Sequence, residues 1–481
     1  MVDSYYWYPR AQARMIVPVM GTLSQREGQS VTRETVTFDL PIRKCRITRN
    51  DFNQADEAHV TVCYDEIGVD PRLLSNAVIE IFIGNSSDPA WGPNAADSRF
   101  AGIVRTAHRS LMSNDSMDIE LHAQDYTTLF LAQKPYFDTG APDFTQTLAE
   151  AWARICDNTG FTDFTTGQFV SNVAVLRDNL IGLPDGVQDI VIGSGVLPRI
   201  AAQGKVQPQS HDADAWAWWR TCVDALGLIT WISGDQCYVA SAPDYYTASD
   251  PVVFVWGQNI FKLEEGRDIA SVNNKGIHLT SFDPLGGETI ESFYPNRNDP
   301  NVVRKRVPAQ HTAGKSRRVA SAGIAPITDY EHMEYNYSCT QETLDIACRR
   351  VWEERSRQEL AGKMSTTEMV VQRVSGADFD LLSLTHGDQI LVQLAQNALD
   401  EMRKLPTTQA RAQYLQEEGY SGAASLLIAN DQGFIGRLQS TMVVRNVVIE
   451  YDPDAQHFGI DVDYCSRIDP NTGASDTAVS A

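Results

Sequence analysis

The sequence predicts an α+β fold, mainly β, built from two antiparallel β-barrel or β-sheet domains with helical insert domains. Three observations predict it. Apolar and polar residues alternate at period two in two separate stretches, about residues 36–133 and about 252–465. Helical spacing is confined to short stretches between and within them. A chain of 481 residues exceeds the roughly 250–300 that one core sustains, so roughly two to four domains are expected.

The elements follow in chain order. Residues 1–35 read as an irregular N-terminal arm. Its cluster Tyr5, Tyr6, Trp7, Tyr8 either docks on a neighbour or packs on its own domain. Residues 36–140 form the first β domain. Val60, Val62 and Tyr64 share one face, as do Ile79, Ile81 and Ile83, and again Met117, Ile119 and Leu121. Such alternation makes one face wet and the other buried.

Residues 141–251 read as a small α+β domain. A helix over about 145–158 places Leu148, Trp152 and Ile155 on one stripe, with Thr147 and Glu150 spaced as a capping box. A second helix from about Asp212 turns Trp216, Trp219, Val223 and Leu226 inward, followed by short strands in LITWIS and QCYVAS. The stretch 160–210 is punctuated by Gly and Pro and shows little periodicity.

Residues 252–466 form the second β domain. A helix of about 340–361 interrupts it, with Leu344, Cys348 and Val351 inward and Glu353 and Arg357 paired outward. A helical insertion over about 396–436 breaks at Pro406. The final strand alternates Phe458, Ile460, Val462 and Tyr464 with polar or small residues. Residues 467–481 are small and polar and read as a flexible tail.

Composition narrows the function. Asp plus Glu outnumber Lys plus Arg by 62 to 40, a net charge of −22. That excess disfavours wrapping nucleic acid, which needs a positive field, and would repel DNA from any surface carrying it. Eight cysteines show no CxxC pair and no zinc spacing with His, which suits buried free thiols in a reducing compartment. The N-terminus lacks the apolar core of a secretory signal, and no run of ~18 apolar residues predicts a membrane span.

Residues 309–316, AQHTAGKS, match a relaxed phosphate-loop pattern. The required strand before and helix after are missing, so a solvated basic loop is the reading, with Arg304, Lys305, Arg306, Lys315, Arg317 and Arg318 its positive island. Asp212 and Asp214 read as helix N-cap residues, Asp461 and Asp463 as the wet face of a strand. The helical spacing of Trp216 and Trp219 favours core packing over a sugar platform. No catalytic constellation, cofactor motif or metal motif is predicted.

The order of signals in the first β region resembles the first domain of phage tail hub proteins, the family of late control protein D and the baseplate hubs of contractile tails. The resemblance rests on a Phe-x-Gly-x-Val strand, Phe100, Gly102 and Val104, followed by an alternating strand and the polar-Asp-Tyr turn at Asp125 and Tyr126. In the second region, RRVWEERSRQELAG and HGDQILVQ are similar to the later tube-like domain of such hubs, with Gly387 and Asp388 in a tight turn. The resemblance implies two tube-like domains and a structural, non-enzymatic chain. It implies a homotrimer adapting a hexameric tail tube ring to a trimeric spike protein, with DNA met only in passage. Other baseplate proteins and the tape measure protein are further expected partners. The place implied is the virion tail baseplate, assembled in the host cytoplasm. Two competing classes remain: a tail-associated glycan hydrolase with paired carboxylates, and a receptor- or sugar-binding module using exposed Trp.

Overall fold

The computed structural model describes residues 9–20, 33–51, 54–63, 74, 77–85, 98–111, 117–132, 146–162, 169–171, 174–183, 191–192, 196–198, 214–225, 228–241, 250–256, 259–267, 275–282, 287–296, 329–335, 337–339, 341–357, 360–366, 370–394, 401–418, 425–426, 429, 441–455 and 457–466. The aromatic cluster at 5–8, the basic loop with its phosphate-loop match, the tail 467–481 and the Glu353–Arg357 side chains lie outside them.

Six strands form the first barrel: β1 (Pro9–Met20), β2 (Arg33–Arg49), β3 (Glu57–Cys63), β4 (Val78–Asn85), β5 (Ser98–Leu111) and β6 (Met117–Gln124). Numbered within the barrel, the hydrogen-bonded order around the ring is 1-2-3-6-5-4, and strand 4 returns to strand 1. Every pairing is antiparallel, and because the ring closes, none of the six strands is left as a sheet edge. The inward phase carries Ala13 and Met15, Ile47, Val60 and Val62, Ile79 and Ile81, Val104, Ile119 and Ala123, all at most 2% exposed.

The stretch 1–35, expected as an irregular arm, is instead strand β1 at Pro9–Met20, and β2 begins at Arg33. The inward residues of β1 are Ala11, Ala13, Met15 and Val17. Two alanines hide the alternation because small side chains carry little hydropathy contrast, yet a barrel interior needs small residues where opposite walls approach.

After β6 comes the short helix α1 (Thr127–Leu131), then α2 (Leu148–Asn158) and α3 (Ala215–Ala225), then the hairpin β7 (Leu228–Ser233) and β8 (Gln236–Ser241). Thr147 and Glu150 do form the capping box, and Asp214 accepts a hydrogen bond from Ala217 N at 2.7 Å. Leu148, Trp152, Ile155, Trp216, Trp219 and Val223 are all buried in one core with Phe130 of α1. The rings of Trp152 and Trp219 lie 4.8 Å apart, and Trp219 Nε1 donates to Thr230 Oγ1 at 3.0 Å. Each buried indole therefore contributes area without an orphaned donor.

The second barrel uses β9 (Val252–Trp256), β10 (Ile260–Arg267), β14 (Leu360–Thr366), β15 (Gln389–Leu394), β16 (Thr441–Asp452) and β17 (His457–Ser466). Numbered in chain order within this barrel, the ring again reads 1-2-3-6-5-4. Between β10 and β14 sits a separate unit: β11 (Lys275–Phe282), β12 (Thr289–Tyr294) and β13 (Asp329–Glu334) in one sheet, covered by α4 (Gln341–Arg357). Its core joins Ile277 and Leu279 to Leu344, Cys348 and Trp352. β11 and β12 fall inside the expected second β domain 252–466, yet among the described residues they pair with each other and with β13 and not with the barrel. In the 396–436 insertion, α5 (Thr408–Glu417) starts just after Pro406, with Thr407 Oγ1 accepting from Ala410 N.

One edge of strand β2 serves both barrels. Past Pro41, where its pairing with β1 ends, Cys45–Arg49 pair antiparallel with Val447–Tyr451 of β16 while the other edge stays on β3. The two barrels therefore lie side by side on one continuous sheet, and their interiors merge into one apolar cluster.

Candidate functional site: the joint between the barrels

The two groups of motif residues lie far apart in sequence but meet where the barrels join. Phe100, Gly102 and Val104 sit on β5, facing inward, with Phe100 6% exposed and Val104 fully buried. A Cβ at Gly102 would lie 2.2 Å from the carbonyl oxygen of Gln124, so the close approach of β5 to β6 requires glycine. The register slips between Val104 and Thr106 directly beyond it.

Asp125 follows at the end of β6. Its Oδ2 accepts from Asp56 N at 2.9 Å and its Oδ1 from Thr127 N at 2.9 Å. Asp56 in turn accepts from Asn50 N at 2.8 Å. The two acids thus tie the β2–β3 connection to the turn into α1. Burial pushes both carboxyls well above the usual range, and the charge of Asp125 raises Asp56 further. Tyr126 is the N-cap residue of α1 and packs against the helical core. The Asp-Tyr turn is therefore where the chain leaves the first barrel for the α+β unit.

Across the joint, Gly387 adopts φ +86° and its N–H reaches Val444 O at 2.8 Å. Val444 N returns a bond to Asp388 O at 2.9 Å, and Asp388 Oδ2 accepts from Thr385 N at 2.9 Å. This is a tight turn whose left-handed residue is the one that lacks a Cβ, leading into β15. Burial raises the Asp388 carboxyl as well.

Two arginines that no sequence motif marks lock the halves together. Arg49 donates to Leu382 O and Leu384 O of the second barrel, at 2.8 and 2.5 Å, and to Arg99 O of the first at 2.9 Å. Arg99, 7% exposed, reaches Ile83 O at 3.1 Å and, in the second barrel, Ser383 Oγ and the Asp380 carboxylate. Burial lowers the Arg49 guanidinium from its usual value. Arg445 adds a bond to Asp51 Oδ2 at 2.9 Å, and Asp51 N donates to Asn446 Oδ1 at 3.0 Å. A signal for Arg49 was present. It continues the inward phase of Cys45 and Ile47, and a charged residue in a buried phase needs dedicated partners.

A cavity of about 650 Å³ opens at this joint, lined among others by Arg49, Arg99, Phe100, Trp231, Tyr238 and His386. Trp231 stacks on Tyr238 at 5.1 Å and meets the edge of His386 at 5.6 Å. Burial holds His386 down at about 4. Chemically, the joint is a hydrogen-bond network that spans two barrels and borders a helical unit. Its acidic oxygens are engaged by backbone N–H groups, which suits a fixed angle between domains.

No protein-family model matches the chain, and no curated protein matches it. Among solved structures it is similar to the tail protein from Neisseria meningitidis MC58, at 9% identity and a TM-score of 0.53, covering 97% of this chain and 99% of that one. The 43 kDa tail protein of prophage MuSo2 from Shewanella oneidensis matches at 10% identity and a TM-score of 0.49, over 97% and 99%. A type VI secretion component of E. coli, described as structurally similar to bacteriophage T4 tail proteins, matches at 7% identity and a TM-score of 0.44, over 88% and 73%. The Neisseria protein shares this mainly-β fold from end to end. The resemblance to phage tail hubs read from the sequence is thus borne out in the fold.

Proposed function

We propose that the chain is a structural hub subunit of a phage-type tail or related contractile machine, a trimeric adaptor between a hexameric tube and a central spike. The observation that carries this is the repeated ring order. One chain supplies two side-by-side barrels of the same 1-2-3-6-5-4 order, so three chains present six barrel units while keeping threefold symmetry. A closed ring of this kind uses head-to-tail contacts between unlike patches. Tube protein, spike protein, other baseplate proteins and the tape measure protein are the proposed partners, and the virion baseplate, assembled in the host cytoplasm, the proposed place. Part of the −22 charge would line the bore and keep passing DNA from adhering. The domain division belongs to the same proposal, with the first unit extended back from 36 to Pro9 and followed by 141–251 and 252–466, as does the structural role of Phe100, Gly102, Val104, Asp125, Tyr126, Gly387 and Asp388.

The test is reconstitution with tube and spike proteins, followed by counting copies in electron micrographs. Three copies forming a ring of six barrels is the expected result. A ring of six whole chains, or no association with either partner, overturns the proposal. A second reading, glycan hydrolysis by paired carboxylates, rests on the half-buried Asp56 and the buried Asp125 beside the joint cavity. Cell-wall turnover lost in both Asp56→Asn and Asp125→Asn would establish that reading instead. The engagement of Asp125 by two backbone donors supports the structural one.

A further inference from the structure

A cluster on the outer wall of the first barrel takes no part in the joint. In β3, Ala58, Val60 and Val62 point inward, so Glu57 and His59 point outward. In β6 the inward residues are Ile119, Leu121 and Ala123, which turns His122 and Gln124 to the same outer surface. The antiparallel register sets His59 directly opposite His122 and Glu57 opposite Gln124. Directly opposed positions hold their Cβ atoms roughly 4.5–5.5 Å apart, and diagonal ones stay within reach of long side chains. The two imidazoles stack in parallel, with centroids 4.4 Å apart and planes 10° apart. One ligand atom from each of Glu57, His59 and His122 falls within 4.8 Å of the others.

We propose that Glu57, His59 and His122 form a binding site for a zinc-class divalent cation, clipping β3 to β6. Two imidazoles and one carboxylate are a donor set that such borderline cations prefer over calcium or magnesium, which favour oxygen alone. His122 Nε2 is buried, has no hydrogen-bond partner among the described residues, and lies 3.8 Å from Glu57 Oε2. A cation between them would satisfy both. Gln124 Nε2 donates to Glu57 Oε1 at 3.0 Å and so orients the carboxylate while leaving Oε2 available. His59 stands exposed at the mouth of the site, which gives the ion a way in.

On the flanking strands, Thr48 of β2 stands opposite Glu57, Thr106 of β5 opposite His122, and opposite His59 lies Arg46 of β2. Its charge is partly answered by Glu450 at 3.5 Å. The site rests on the barrel register and not on the hub reading, so the two can fail separately.

The test is calorimetric titration of zinc into the chelator-treated full chain, with cobalt as a spectroscopic probe. One equivalent bound in wild type, with cobalt bands of a nitrogen- and oxygen-ligated site, is expected. His59→Gln and His122→Gln should each weaken that equivalent at least about tenfold, and Gln124→Ala about tenfold through the carboxylate it orients. Zinc should raise the melting temperature of wild type but not of the double histidine variant, whose metal-free circular dichroism should match wild type. If a variant fails to fold, Gln124→Ala alone still reports. Equal affinity and stoichiometry in wild type and the double variant overturn the site, as does no uptake by wild type at millimolar zinc.

Discussion

The two barrels share a ring order and differ in almost everything local. In the first, strand 1 pairs antiparallel with strand 2 over nine residue pairs and with strand 4 over eight. In the second, strand 1 (β9) runs the other way. It lies parallel to β15 over five pairs and touches β10 at the single pair Trp256–Ile260. The hairpin of Val370–Arg373 and Asp378–Asp380 covers part of the gap by pairing Val252 and Val253 with Arg373 and Gln372. The second barrel also carries a whole three-stranded sheet with its helix between strands 2 and 3. The comparison teaches that the ring is set by which edges pair, while strand direction and inserted units can change if every edge is still covered. It also locates the weaker closure, at β9–β10, where few backbone hydrogen bonds hold the wall.

The two barrels can be uncoupled at the joint. Arg49→Ala leaves three buried carbonyls without donors, each costing about 1–3 kcal/mol, so a loss of about 4 kcal/mol is expected. Denaturant unfolding should then split into two transitions as the barrels uncouple. A single unchanged transition would show that the β2–β16 pairing alone couples them.

The next largest effect contrasts two glycines. At Gly102 a Cβ would meet the backbone of Gln124, which cannot turn aside. At Gly362 of the second barrel it would meet the ring of Tyr464, a side chain 1% exposed. Gly102→Ala should cost about 3 kcal/mol and Gly362→Ala about 2 kcal/mol, both by overpacking, with the backbone clash the worse. Chemical denaturation of the two variants checks the order.

The second barrel's turn should also show in pH dependence. His386 is held at about 4 against an ordinary 6.5, so its contribution is present above 6.5 and is lost as pH falls through 4. Wild type should lose about 2 kcal/mol relative to His386→Leu between about pH 7 and pH 5. The raised carboxyls nearby shift stability the opposite way, but they are common to both proteins and cancel in the difference. Parallel pH profiles would rule out a buried neutral imidazole.

The smallest effect is expected at Arg445. It and Asp51 are both partly exposed, at 34% and 25% of side-chain area. Arg445→Gln should cost about 1 kcal/mol or less, and less still at high salt. Melting temperatures at low and high salt measure it.

Much of this was legible in the sequence because the cues are local. The capping box at Thr147 and the stripe Leu148, Trp152, Ile155 needed only a helix's own geometry. Ile79, Ile81 and Ile83 announced their inner face by alternation alone. Strand β1 escaped notice because Ala11 and Ala13 dilute the contrast that alternation depends on. Arg49 and Arg99 escaped because their partners lie up to 335 residues away.

Wet faces, helix starts and the resemblance to tail hubs could be read along the chain alone, since short-range periodicity and turn chemistry act within a few residues. Only the tertiary structure decided the ring order, the reversal of β9, the expulsion of β11–β13 into their own unit, and the meeting of Asp125 with the Gly387 turn region at one joint. Those depend on edge-to-edge pairing and on satisfying buried charge across hundreds of residues. A period-two pattern says which way a side chain points but nothing about which strand lies beside it.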